Sequence, residues 1–134
     1  MNGATVKVYS LAKDGSKQLS AHFKVREFAC HDGSDTIFVS DALVRTLESI
    51  RAHFGKPVHI NSGYRTEAYN AATKDAAPYS QHKYGLAADI TIQGVTPAQV
   101  AAYAETLLPG TGGIGIYKRF CHVDVRRIKS RWNG

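Results

Sequence analysis

The chain has 134 residues, of which 43% are hydrophobic and 21% are charged. This length and balance are typical of an ordinary soluble globular protein, and we expect a single domain over residues 1–134. No apolar run in the sequence is long enough to span a bilayer, which excludes an integral membrane protein.

The charge is strongly basic, with 17 Lys and Arg against 11 Asp and Glu and a formal net charge of +6. Such a charge attracts polyanions, among them nucleic acid, anionic lipid and anionic cell-wall polymers. The densest basic segment, "RRIKSRW", lacks the interleaved aromatic platform and the helix-turn-helix pattern of nucleic-acid readers. We interpret this segment as a solvated face or as a surface that attracts the cell wall or the substrate, and we expect neither a nucleic-acid nor a membrane partner.

The N-terminus, "MNGATVKVYSLAKDGSK", lacks an apolar segment after a basic one, so we expect no secretory signal peptide and synthesis in the cytoplasm. The two cysteines, Cys30 and Cys121, are too few for a cysteine-rich zinc site. They form either reduced core thiols or one long-range disulfide, and cytoplasmic synthesis favours reduced thiols.

The first third of the chain has weak periodicity. Residues 5–11, "TVKVYSL", alternate as a strand does, and the Asp-Gly of the following "AKDGSKQL" is a turn signal. We predict an N-terminal hairpin or extension over residues 1–20. The segment 20–35 has no clean period and predicts an irregular path with one helical turn.

Three helices are predicted from their capping residues. Ser40 caps a helix that Gly55 terminates, Thr66 caps a short helix over "EAYNAATK", and Thr96 caps a helix that ends at the Pro-Gly of residues 109–110. The apolar positions of the first helix follow helical spacing: Leu43, Val44, Leu47, Ile50 and Phe54. Strands are predicted at 58–60, 87–92, 113–117 and 120–126, which indicates an α+β fold with a small antiparallel sheet covered by helices.

Two of these strands carry polar residues on one face. In "FCHVDVR" the period of two places His122 and Asp124 opposite the apolar residues, and Asp89 holds the same position in "AADITI". We expect this face to be polar or solvated. If the strands pair, Asp89 and His122 meet on it, and His82 can join them because Gly85 lets the chain turn sharply.

Catalytic zinc sites take three protein ligands of nitrogen and oxygen type and leave the fourth position to water. The candidate metal ligands are therefore His82, Asp89 and His122, with Zn²⁺ as the expected cofactor. Each residue alone is equally compatible with an ordinary structural role. His22, His31, His53 and His59 have no motif context and are left out of the site.

The segment "SQHKYGLAAD" at 80–89 resembles the Ser-x-His-x6-Asp signature of the M15 family. This family contains zinc D-Ala-D-Ala carboxypeptidases and related peptidoglycan endopeptidases, and it shares a metal-binding core with hedgehog signalling domains. "SGYRT" at 62–66 and "GGIGIYKRFCHVDVR" at 112–126 resemble two further family blocks in the same order. The resemblance runs from about Phe23 onward over roughly 110 residues and implies a hedgehog/DD-peptidase-like fold.

The resemblance also implies roles for single residues. His82, Asp89 and His122 match the zinc ligands, and Arg65 matches an arginine that engages substrate carbonyl or carboxylate groups. Ser80 holds the motif serine, which either donates to the developing oxyanion or caps the loop backbone.

One position departs from the family pattern. Many members carry an acidic general base three residues before the second ligand histidine, where this chain has Arg119. Asp124 is the nearest acidic substitute, and three roles are open to it: the catalytic base, orientation of the His122 ring, or a pair with Arg126.

The predicted function is a zinc-dependent peptidase that hydrolyses an amide bond in peptidoglycan stem peptides or cross-links, as a D-Ala-D-Ala carboxypeptidase or an endolysin-type endopeptidase. The alternative is a non-catalytic zinc-containing cell-wall-binding or phage structural module. We expect a monomer that acts on the cell wall, which it reaches either by the release that phage or prophage lysins use or by a non-classical export route. The loops "KDAAPY" at 74–79 and "PGTG" at 109–112 are predicted to line the pocket.

Overall fold

The computed structural model describes residues 5–73 and 80–134, and within these it has an α+β fold with four helices and two sheets. The strands are β1 Val6–Ser10, β2 Thr36–Ser40, β3 His59–Ser62, β4 Ala87–Thr91, β5 Gly113–Ile116, β6 Cys121–Asp124 and β7 Ser130–Asn133. The helices are α1 Leu11–Asp14, α2 Asp41–Phe54, α3 Glu67–Ala72 and α4 Pro97–Leu107. Two 3₁₀ turns, Val25–Phe28 and Gln81–Tyr84, complete the regular elements, and the first is the helical turn predicted within 20–35.

The five-stranded sheet has the order β3-β4-β6-β5-β7. Its first four strands are antiparallel, as predicted, but β7 runs parallel to β5 and makes the sheet mixed. The sequence did not indicate β7 because its segment reads as a basic cluster. Arg131 explains how such a segment forms a strand, since its guanidinium binds the Glu105 carboxylate and the backbone carbonyls of Leu108 and Gly112.

The predicted N-terminal hairpin is wrong. Strand β1 pairs antiparallel with β2, from Val6 opposite Ser40 to Ser10 opposite Thr36. The chain enters α1 before it reaches the Asp-Gly signal, because the Ser10 side chain caps that helix and the Asp14 carboxylate accepts a hydrogen bond from the Ser10 backbone N–H. A helix cap thus stands where the hairpin turn was predicted. The partner of β1 is β2, a segment that was not predicted to form a strand. Residues 1–4 of the predicted extension lie outside the described residues.

The capped helices are confirmed. Ser40 caps α2, Thr66 caps α3, and Thr96 forms a capping box with Gln99 at the start of α4. Helix α2 ends at Gly55, which has the left-handed conformation typical of a helix C-terminus. Lys74, the last residue of the predicted α3 segment, lies outside the described residues.

Helices α2 and α4 pack together, and α4 also packs on β5 and β6. Their apolar faces join the core residues of the sheet in one buried cluster, and His53 of α2 stacks on Tyr103 of α4 with ring centroids 3.7 Å apart. Cys30 and Cys121 are buried and unbonded, which confirms reduced thiols over a disulfide. Within residues 5–73 and 80–134, no helix has the length and apolar character needed to cross a bilayer.

Gly85 connects the 3₁₀ turn at Gln81–Tyr84 to the rest of the fold. Its φ is +73°, and its carbonyl accepts a hydrogen bond from the Ser40 backbone N–H. A Cβ at this position would lie 2.6 Å from the Phe38 carbonyl oxygen. Gly85 therefore permits both the backbone conformation and the close approach of two chain segments.

We predict that Gly85→Ala destabilises the fold by more than Gly55→Ala. Both glycines have positive φ, which costs a residue with a Cβ about 1–3 kcal/mol. A Cβ on Gly55 meets no atom within 4 Å, whereas one on Gly85 also forces Phe38 to move. Urea titration followed by circular dichroism measures both free energies of unfolding. Equal losses in the two variants would contradict the inferred close packing at Gly85.

Candidate metal centre

The pairing of β4 with β6 brings two candidate ligands together. Asp89 lies directly opposite His122 in this antiparallel pair, as the strand pattern predicted. His82 is on the 3₁₀ turn that precedes β4, and its ring centroid lies 5.1 Å from that of His122. One ligand atom from each of His82, Asp89 and His122 lies within 4.8 Å of the others. The predicted convergence of two imidazoles and one carboxylate is therefore confirmed.

The face that carries these residues is polar, which was one of the two predicted alternatives, but it is buried and not solvated. His82, Asp89 and His122 are all buried, and Asp124 is fully buried. Trp132 on the unpredicted strand β7 helps to cover this face, because its ring centroid lies 5.0 Å from that of His122. Burial strengthens the electrostatic interactions among these residues because little water screens them.

The tautomer of His82 is fixed by the backbone. Its Nδ1 lies 2.7 Å from the carbonyl oxygen of Gly63, which can only accept a hydrogen bond, so Nδ1 carries the proton. In the neutral ring, Nε2 then presents a lone pair, and this atom lies 3.2 Å from Asp89 Oδ1. Two acceptor atoms thus face each other unless a positive charge lies between them.

His122 is held between two carboxylates. Its Nδ1 lies 2.9 Å from Asp89 Oδ1, and its Nε2 lies 2.7 Å from Asp124 Oδ2. A neutral imidazole has only one N–H and can satisfy only one of these contacts. The second contact therefore also calls for a positive charge, supplied by a proton or by a cation.

The pKa values follow from this arrangement. Burial acts to raise the pKa of Asp89 and of Asp124, but their hydrogen bonds, foremost those from His122, hold both well below the ordinary value. Burial acts to lower the pKa of His122, but the two carboxylates outweigh it and raise that pKa. The site as a whole thus favours an added positive charge at its centre.

A divalent cation fits this requirement. His82 Nε2, His122 Nδ1 and the Asp89 carboxylate are the nitrogen and oxygen donors that catalytic zinc sites use, and they are three in number. The outer nitrogen of each ring has a partner that fixes its orientation, Gly63 for His82 and Asp124 for His122. These residues could hold a metal ion, and their donor set is suited to Zn²⁺.

Arg65 lies beside the candidate ligands. Its guanidinium contacts Ser62 Oγ at 3.2 Å, Asn70 Oδ1 at 3.4 Å and Asp89 Oδ2 at 3.4 Å, and the side chain is 14% exposed. The backbone N–H of Arg65 also donates to the His82 carbonyl. Arg65 is therefore fixed next to the centre and pairs with a candidate ligand.

Asp124 makes contacts that match two of its three predicted roles. It orients the His122 ring through Nε2, and it forms an ion pair with Arg126, whose Nη2 lies 2.6 Å from Asp124 Oδ2. Arg126 also donates to Asp124 Oδ1 through its backbone N–H and Nε. Both carboxylate oxygens are thus occupied in a fully buried position, which leaves no open approach for a substrate proton.

Ser80, Arg119 and two loops are the remaining predicted positions. Ser80 caps the 3₁₀ turn, where its Oγ accepts a hydrogen bond from the His82 backbone N–H at 3.3 Å. Arg119 is exposed on the turn between β5 and β6. Of the loops predicted to line a pocket, 109–112 supplies carbonyls to Arg131, and 74–79 lies outside the described residues.

Trp132 was not predicted from the sequence to be a residue of the site. Its Nε1 donates to the Tyr117 hydroxyl at 2.8 Å, and the Arg126 guanidinium lies 5.3 Å from its ring centroid. The one sequence feature that could have drawn attention to it is that it is the only tryptophan of the chain. Three of the four histidines left out of the site have other partners, since His22 binds Glu48, His31 lies against Tyr69 and His53 stacks on Tyr103. The fourth, His59, is exposed on β3.

The sequence model described as Peptidase M15 matches residues 21–124 of this chain. The match covers more than half of the sequence and includes His82, Asp89, His122 and Asp124. The chain belongs to the Peptidase M15 family. A comparison with curated proteins found no match. Membership of Peptidase M15 supports a metallopeptidase-type function, in agreement with the buried group that could hold a metal.

We predict that His82→Ala lowers the affinity for Zn²⁺ by at least about a hundredfold, because one of three ligands is lost from a preformed site. The exposed His59, on β3, provides the matched control, and we expect His59→Ala to bind zinc as the wild type does. Isothermal titration calorimetry with Zn²⁺ measures both affinities, and circular dichroism checks that both variants fold. Unchanged zinc affinity in folded His82→Ala would remove His82 from the ligand set.

Proposed function

We propose that this protein is a zinc-dependent peptidase that hydrolyses an amide bond in the stem peptides or cross-links of peptidoglycan. The observation that carries the proposal is the buried group of His82, Asp89 and His122 in a chain of the Peptidase M15 family. The resemblance of the surrounding motifs to D-Ala-D-Ala carboxypeptidases and peptidoglycan endopeptidases supplies the substrate class. The net charge of +6 favours approach to an anionic cell wall.

His82, Asp89 and His122 would hold the metal in this proposal. When bound there, Zn²⁺ supplies Lewis-acid polarisation of a carbonyl group and lowers the pKa of a water molecule. The protein contributes the geometry, because Gly63 and Asp124 fix the two imidazole rings before any ligand arrives.

Arg65 would position the substrate. Three of its five N–H groups point to Ser62, Asn70 and Asp89, and two remain for a substrate carbonyl or carboxylate. Its contacts hold the guanidinium within reach of the centre without a loss of side-chain freedom on binding. Ser80 accepts the His82 N–H, so its own hydroxyl proton is available for donation to the substrate.

We assign Asp124 the role of a positioning residue for His122. Its full burial and its bonds to Arg126 are unfavourable for a general base, which must reach the proton that it accepts. Its contact with His122 Nε2 is favourable for the carboxylate–histidine–metal arrangement that fixes a ligand ring.

The test of the function combines metal content with activity on one sample. Elemental analysis of the purified protein should find about one zinc per chain, as expected for a three-ligand catalytic site. Mass spectrometry of muropeptides from treated sacculi should show the loss of one amide bond, which also names the bond. A chelator should abolish this cleavage, and added Zn²⁺ should restore it.

The second candidate is a non-catalytic zinc-containing module that binds the cell wall or forms part of a phage particle. Arg119 favours it, because the resemblance implies an acid at this position and Arg119 cannot act as a base. Zinc in the protein without any cleavage of sacculi would favour this candidate. Cleavage that survives complete removal of the metal would contradict both.

The role of Asp124 can be tested with Asp124→Asn. If Asp124 positions His122, the variant should lose about tenfold to a hundredfold in zinc affinity and regain most of its activity at saturating zinc. If Asp124 is the base, activity should stay low, by about a hundredfold or more, even when zinc is saturating. Titration of peptidase activity against free Zn²⁺ separates the two results, with Arg26→Gln, an exposed substitution elsewhere, as the control.

A further inference from the structure

The exposed large apolar side chains of the described residues cluster at one place. They are Val6, Val8, Tyr84 and Ile128, and Ile128 is 82% exposed. Val6, Tyr84 and Ile128 line one groove with a volume of about 720 Å³. Val8 follows two positions after Val6 on β1, so it extends the same strand face. Clustered exposed apolar side chains of this kind mark interaction surfaces rather than ordinary scatter.

The groove is also positively charged. Arg126, Arg127 and Lys129 line it, and none of its described lining residues is acidic. Arg126 is bound to Asp124, and Lys129 is half exposed and 3.9 Å from Glu105. Arg127 has no ion-pair partner within residues 5–73 and 80–134. An occupant with negative charges and apolar groups matches this surface.

The groove shares two segments with the candidate metal centre. The 3₁₀ turn contributes Gln81 and Tyr84 to the groove and His82 to the centre. The segment after β6 contributes Arg126 to the groove, and Arg126 binds the same Asp124 that contacts His122. A ligand that fills the groove is therefore held on the segments that build the centre.

We propose that this groove binds the carboxylate-bearing peptide stems of peptidoglycan next to the bond that is cleaved. The choice of this occupant rests on the proposed function. Peptide stems carry free carboxylates, which Arg127 and Lys129 attract, and alanine methyl groups, which pack on Tyr84 and Ile128. The groove thus gives the enzyme affinity for the stem beyond the scissile bond, so it lowers the KM for every substrate that carries the stem.

The test uses full-length zinc-loaded protein and purified sacculi from which teichoic acids have been removed. Arg127→Glu reverses a charge that lines the groove, and Ile128→Ser removes an exposed apolar side chain from it. Neither residue is one of the candidate ligands. Arg26→Glu, on the exposed side of the Val25–Phe28 turn, is the matched charge reversal. We expect Arg127→Glu and Ile128→Ser to bind sacculi at least about fivefold more weakly than the wild type, and Arg26→Glu to change binding less than twofold.

The KM for cleavage of a short soluble stem peptide is measured in parallel. We expect Arg127→Glu and Ile128→Ser to raise this KM and Arg26→Glu to leave it unchanged, because the peptide carries the carboxylates and methyl groups that the groove binds. The two results are independent. Weaker sacculus binding in the groove variants supports the groove whether or not peptide is cleaved, whereas absence of cleavage by the wild type contradicts the proposed hydrolysis alone. If Arg127→Glu and Ile128→Ser both bind sacculi as tightly as the wild type does, the groove proposal is overturned.

A membrane is the competing occupant, because a basic and apolar surface also binds anionic lipid. Sedimentation with phosphatidylglycerol vesicles measures the binding of the wild type and of each variant to a membrane. Loss of vesicle binding in Arg127→Glu with unchanged sacculus binding would overturn the proposal in favour of a lipid site. If Arg127→Glu fails to fold, as judged by circular dichroism, Arg127→Gln removes the charge with less perturbation and carries the same expectation.

Discussion

The contact between Asp89 and His122 across β4 and β6 is the interaction on which the candidate centre depends. The antiparallel register places the two residues opposite each other, and a shift of one strand by one residue would leave them on opposite faces of the sheet. Gly85 then sets the distance of His82 from this pair, since it ends the turn that carries the histidine. The candidate metal centre is thus a product of one strand register and one left-handed glycine.

Two acceptor atoms, His82 Nε2 and Asp89 Oδ1, face each other at the centre, and His122 lies between two carboxylates. Gly63 determines the His82 tautomer, and Asp124 holds the outer nitrogen of His122. Burial makes the resulting excess of lone pairs costly unless a positive charge is present. This physical argument supports a cation site independently of membership of the Peptidase M15 family, and all three residues lie within the segment that the family model matches.

Arg126 connects the centre to the surface. It neutralises the buried Asp124 carboxylate, lies over Trp132 and lines the groove that holds the exposed Tyr84 and Ile128. A buried carboxylate with both oxygens occupied is well suited to orient a ring and poorly suited to accept a proton. The same ion pair thus supports a positioning role for Asp124 and places the proposed peptide-binding groove beside the proposed active site.

The sequence alone determined the elements with strong local signals, namely α2, α3 and α4 with their caps and the strands that form the middle of the sheet. It predicted the convergence of His82, Asp89 and His122 on the condition that two of these strands pair. Period-two alternation and capping chemistry are local, so they can be read without the fold. Only the tertiary structure decided the pairing of β1 with β2, the parallel strand β7, the burial of the polar face and the contacts of Asp124. These depend on residues distant in the chain, as when Trp132 covers His122 and when Arg131 anchors β7 to α4, and no local pattern encodes such contacts.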